Sequence, residues 1–114
     1  MRSVSPRNWH LRIQDILTCA HNIQSFTAGM DFVSFLDDPK TIRAVAFELT
    51  TIGEAARAIP QEIQGKYFEI PRGKIQGLRN VLIHEYFRLD EEILWKTVQD
   101  DIPELIETLE KITQ

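Results

Sequence analysis

Residues 39–58 read Pro39-Lys40-Thr41-Ile42-Arg43-Ala44-Val45-Ala46-Phe47-Glu48-Leu49-Thr50-Thr51-Ile52-Gly53-Glu54-Ala55-Ala56-Arg57-Ala58. Ile42, Val45, Leu49, Ile52 and Ala56, continued by Ile59, recur at steps of three and four without a break. That spacing brings the apolar side chains back to one side of an α-helix, which turns once every ~3.6 residues. The ends are marked as well. Asp37-Asp38-Pro39 offers a capping carboxylate and then proline at the first helical position, and Ile59-Pro60 breaks the pattern. Gly53, Ala55 and Ala56 make part of the seam narrow, so another helix can approach closely. Glu54 stands in that narrow part. It fits a surface position, a pairing with an arginine from a neighbouring helix, or a direct role in chemistry, and the structural pairing is the preferred expectation.

Working outward, the flanking sequence keeps the same period. From Asn8 to Thr27, apolar residues fall at Trp9, Ile13, Ile16, Leu17, Ala20, Ile23 and Phe26, and Gly29 follows as a stop. Asp31 can cap a short apolar piece, Phe32 to Leu36, that closes one end of the core. A third long helix is expected from Pro71 through Ile75, Leu78, Leu82 and Ile83. A fourth is expected from the Asp90 cap through Leu94, Val98, Ile102, Leu105, Leu109 and Ile112, with Pro103 kinking or restarting it. No stretch alternates as a strand would. The expected fold is all-α: an up-and-down bundle of four main helices plus short helical pieces, spanning residues 1–114 as one domain.

Composition narrows the function classes. The chain has 114 residues, 43% hydrophobic and 26% charged, and a net charge of −4. That is the balance of a soluble globular domain and argues against a general polyanion binder. No apolar run approaches the ~20 residues of a membrane span, and no signal-peptide pattern follows Met1, so a cytoplasmic location is expected. Cys19 is the only cysteine and falls at an apolar position, as a packed thiol would. His10 and His21 are eleven residues apart on the first helix, too far to share a metal, and read as surface or boundary residues.

The charge is unevenly spread. Residues 66–88 carry Lys66, Arg72, Lys74, Arg79 and Arg88 against Glu69 and Glu85, whereas residues 90–113 carry eight acids against Lys96 and Lys111. The two segments either complement each other in the fold or leave a phosphate-attracting surface. Within the basic segment lies Arg79-Asn80-Val81-Leu82-Ile83-His84-Glu85-Tyr86. Asn80 and His84 are four apart and share a helix face. Arg79 and His84 are five apart and diverge by about 140° on one ideal helix. A site using both needs a helix that ends or distorts near His84, or a second subunit that supplies the other half.

The residue types suit RNA phosphodiester cleavage. A histidine can take the proton of a 2′-hydroxyl or protonate the leaving oxygen. Arginine can hold the charge that builds on the phosphate oxygens, and Asn80 can orient imidazole or phosphate. No carboxylate cluster or Cys/His set suggests a metal, and no cofactor is expected.

The pattern R-x-x-x-x-H-x-Y, read as Arg79…His84-Glu85-Tyr86, resembles the signature of HepT-like toxins of the HEPN superfamily. Ile52-Gly53-Glu54-Ala55, Ile70-Pro71, Ile75-x-Gly77-x-Arg79-Asn80, Tyr86-Phe87, Asp90, Trp95 and Pro103-Glu104-Leu105 stand where that family places similar residues. Asp15-Ile16-Leu17 and Phe26 through Phe32 are similar too. The resemblance implies the toxin of a type VII-like toxin–antitoxin pair. It implies a homodimer, open to higher assembly, and a metal-independent endoribonuclease with a composite cleft at the dimer interface. It also implies a minimal nucleotidyltransferase antitoxin that adenylylates Tyr86. Carried over by position, Arg79 and His84 are the catalytic pair, and Asn80 is the supporting polar residue. Arg72 departs from the tryptophan common after Ile-Pro in the family; with Lys74 it can add a basic rim for RNA phosphate. Two other readings remain: a non-catalytic helical, nucleotide-binding partner of a nucleotidyltransferase, and a purely structural bundle.

Overall fold

A computed structural model describes residues 9–60, 62–63 and 90–113. Among them there are helices and turns and no strand. The first element, α1, runs Trp9–Thr27. Its buried side chains include Trp9, Ile13, Ile16, Ala20, Ile23 and Thr27, an unbroken alternation of four and three. That register corrects the expected stripe at one point: Phe26 is 39% exposed. The core-facing place in the last turn belongs to Thr27, whose hydroxyl donates to the Ile23 carbonyl at 2.9 Å and so enters the interior already paired. Gly29 then adopts φ +76° with nothing within 4 Å of where a Cβ would lie. Glycine is favoured there by backbone conformation, not by lack of space.

A five-residue helix, α2 (Phe32–Leu36), follows. So short a helix does not persist alone. Two things hold it. Asp31 Oδ1 accepts the Ser34 N–H at 2.9 Å while Ser34 Oγ accepts the Asp31 N–H at 3.0 Å, a reciprocal cap. Phe35 is fully buried. The Ser34 donors also hold the Asp31 carboxyl below its usual range.

The seam that decides the fold forms α3, Pro39–Arg57, with Asp38 accepting the Thr41 N–H at 3.1 Å and Pro39 at the start. Ile42, Val45, Leu49, Ile52, Ala56 and Ile59 are all buried, as the spacing predicts. α1 packs along α3 and against the C-terminal helix, and α2 bridges α3 and the segment after Asp90. The groove beside α1 and α3 is lined by the first half of one and the last half of the other, so the two run antiparallel.

The last element is not one plain helix. α4 spans Glu91–Lys96 with Asp90 capping Ile93 N–H at 3.1 Å. A π-turn covers Thr97–Asp101, and α5 covers Ile102–Thr113. The sequence predicts a kink or restart at Pro103; the structure instead carries the helix on through a π-turn that ends two residues before it. In plain α-helix Pro103 would have to donate to the Gln99 carbonyl and its ring would press on it. The Ile102 N–H instead donates to Thr97, five residues back. The wider turn also absorbs two successive steps of four in the seam. Leu94, Val98 and Ile102 therefore all stay buried, with Leu105 and Leu109 beyond them. These elements close one core, sealed at the α2 end by Phe35 against Trp95, ring centroids 5.0 Å apart. The helix expected from Pro71 lies outside the described residues.

Candidate functional site

The six residues singled out for the site, Arg72, Lys74, Arg79, Asn80, His84 and Tyr86, lie outside the described residues. The described part supplies the scaffold that brackets them in sequence: the helical residues 62–63 before the motif and the Asp90 cap after it.

Two grooves open on that scaffold. The first lies between α1 and α3, has a volume of about 320 Å³, and is lined by Arg12, Asp15, Thr18 and Cys19 opposite Thr51, Glu54, Ala55 and Ala58. The small residues of the narrow seam open it, because Ala55 and Ala58 leave space that longer side chains would fill. Glu54 is exposed on its rim. Arg12, from the neighbouring helix, lines the same groove and pairs with Asp15 at 3.4 Å. Its inner nitrogen, Nε, is buried with no hydrogen-bond partner among the described residues.

Cys19 lies at the base of this groove and is buried. Burial, a hydrogen bond to Glu48 and the nearby Glu48 and Asp15 carboxylates push its thiol up to about 12. The thiolate is the nucleophile in cysteine chemistry, so Cys19 is a packed thiol at neutral pH, as its place in the pattern predicts.

The second groove, about 620 Å³, lies between α2 and the α4/π segment. Phe32 and Trp95 form its apolar floor, and Glu92, Lys96, Gln99 and Asp100 stand around it. His10 and His21 are exposed, as expected, with His21 Nε2 3.6 Å from a Glu110 oxygen. Among the described residues no three His, Cys, Asp or Glu side chains gather as metal ligands, and no helix is long and apolar enough to cross a membrane.

Sequence reading missed both grooves. Arg12 and Asp15, three apart on α1, were a visible signal of a charged edge, but their meeting with the narrow part of α3 depends on how the helices pack. The second groove depends on the π-turn, which no residue pattern marks beyond Pro103.

Residues 16–112 match the family model described as "Ribonuclease HepT-like". Among curated proteins the chain is 36% identical over 107 residues to "Putative RNase MJ1380" of Methanocaldococcus jannaschii, covering 94% of this chain and 98% of that protein. It is 41% identical over 100 residues to "Probable ribonuclease HepT" of Thermococcus cleftensis, covering 88% and 91%. It is 40% identical over 86 residues to "Putative RNase TTE0752" of Caldanaerobacter subterraneus, covering 75% and 77%. No solved structure matches the chain.

Proposed function

Because the chain belongs to the HepT-like ribonuclease family, we propose that it is a metal-independent endoribonuclease whose catalytic groups are Arg79 and His84. The observation that carries this reading is the Arg79…His84-x-Tyr86 pattern inside a chain whose family match spans residues 16–112. His84 takes the proton of a ribose 2′-hydroxyl, and the 2′-oxygen attacks the adjacent phosphorus. The bond to the 5′-oxygen breaks, and that oxygen is protonated as it leaves. The products are a 2′,3′-cyclic phosphate and a 5′-hydroxyl. Arg79 holds the charge that builds on the non-bridging oxygens. Asn80 orients the imidazole, and Arg72 and Lys74 hold flanking phosphates.

Arg79 and His84 diverge on an ideal helix, and either a distorted helix or a second subunit would bring them together; the resemblance to HepT-like toxins supports the second, a homodimer in which two motifs complete one cleft. Tyr86 is the switch. A nucleotidyltransferase antitoxin that transfers AMP to its hydroxyl would put bulk and phosphate charge into a cleft meant for RNA phosphate. Incubation of the purified chain with total RNA in excess chelator tests the activity. Fragments ending in 2′,3′-cyclic phosphate support it; intact RNA, with the protein folded and unmodified by mass, contradicts it. Intact mass after incubation with a candidate antitoxin and ATP tests the switch: AMP-sized additions at Tyr86 support it, and unchanged mass with an active antitoxin contradicts it.

A further inference from the structure

The α2 end of the molecule carries apolar surface that the core does not use. Val33 is 67% exposed, Leu36 43% and Ile93 42%. Scattered exposed apolar residues are ordinary, but these belong to one neighbourhood. Val33 and Leu36 lie on α2 beside Phe32, and Phe32, Ile93 and Trp95 line the same groove. The floor is pre-formed. The Trp95 ring packs against fully buried Phe35 at 5.0 Å and lies 6.5 Å from Phe32, so it is fixed before anything binds. A volume of about 620 Å³ falls in the range of sites that take up an anchoring group.

The rim decides what kind of occupant fits. Glu92 and Asp100 line the groove, exposed Asp31 and Asp37 stand at the two ends of α2, and Lys96 is the one cation among the described lining residues. This is an apolar centre whose described lining carries two acids to one lysine, with two further exposed acids at the ends of α2. RNA would bring more negative charge to it and release no counterions there. We propose that this groove is a docking surface for a second, different protein, whose contacting segment places apolar side chains in the groove and Lys or Arg over the acidic rim. The apolar anchors supply most of the affinity, and the rim charges set partner choice and association rate. The inference does not rest on the ribonuclease reading, since it uses only the surface between α2 and the π-turn.

The probe is a fluorescein-labelled 16-residue amphipathic helix of leucine and lysine, with a leucine/glutamate counterpart, titrated into the full chain and followed by anisotropy. The lysine peptide binds at micromolar concentration and the glutamate peptide does not. Ile93→Asp weakens binding at least tenfold, as does the double variant Glu92→Lys/Asp100→Lys, which also admits the glutamate peptide. All three positions are exposed, so circular dichroism stays that of the wild type; if Ile93→Asp misfolds, the double variant decides alone. The proposal is overturned if the lysine peptide fails to bind or if groove variants leave its binding unchanged. Displacement of the peptide by a 20-nucleotide RNA at this face would overturn it too. So would sedimentation showing that Ile93→Asp dissociates a homo-oligomer, which would make a second copy the occupant.

Discussion

Phe35→Ala should be the most damaging single change in the short helix α2, and its cost follows from two features of the structure. Phe35 is fully buried, so truncation removes most of a side chain that buries about 150–250 Å². At about 25 cal/mol per Å², that area stabilises the fold by roughly 4–6 kcal/mol before the part alanine retains is subtracted. Measured Phe→Ala substitutions in cores cost about 3–5 kcal/mol. The loss of the Trp95 ring contact at 5.0 Å adds about 0.5–1.5 kcal/mol to the area term. We expect a loss of about 4 kcal/mol, which for a chain of this size lowers the midpoint of thermal unfolding by roughly 15 °C. Urea unfolding followed by circular dichroism and tryptophan fluorescence measures it. The fluorescence should also change before unfolding begins, because Trp95 loses its support. A cost below about 1 kcal/mol would show that the α2 end collapses freely around the gap, and the claim of a pre-formed groove floor would fail with it.

Three further outcomes follow from the described contacts and the proposed site. Arg12→Met should leave stability unchanged or raise it by about 1 kcal/mol in urea unfolding. The exposed pair with Asp15 is worth about 0.2–1 kcal/mol, whereas a buried N–H without a partner costs about 1–3 kcal/mol; a clear loss would mean Nε is paired. Cys19 should resist iodoacetamide in the folded chain at neutral pH. Its proton leaves near the ordinary value of 9.0 in the unfolded chain and only at about 12 in the folded one. Stability therefore falls as pH rises from about 9 towards about 12, by up to ~1.4 kcal/mol per pH unit. Cys19→Ala should remove that slope, and an unchanged slope would assign it to other groups. Mixing inactive Arg79→Ala with inactive His84→Ala chains should restore part of the RNA cleavage if each cleft takes its arginine from one subunit and its histidine from the other. No restoration under conditions of subunit exchange would place both groups of a site on one chain.

The helices were legible because their causes are local. The seam from Ile42 to Ile59, the Asp38-Pro39 start and the Asp31 and Asp90 caps each depend on residues within a few turns of one another. Phe26 was misplaced because Thr27 competes for the inward position, and a threonine can be buried only once its hydroxyl finds the Ile23 carbonyl. Pro103 announced a disturbance without saying of what kind, since a kink, a break and a π-turn all relieve the same clash. The two grooves are properties of packing: Arg12 meets the narrow part of α3, and Phe32 meets Trp95, only after the bundle closes. The candidate catalytic residues lie outside the described residues, and what the sequence offers there is a proposal: an imidazole, a fixed cation and a phenol within eight residues, from Arg79 to Tyr86.

The central claim is that His84 moves the proton in RNA cleavage. Its most direct test is the single-turnover cleavage rate of a defined RNA in excess chelator for the wild type and His84→Ala, both checked by circular dichroism. The account predicts a fall of about 10²–10⁴-fold with the fold intact. A His84→Ala chain that cleaves as fast as the wild type would contradict it.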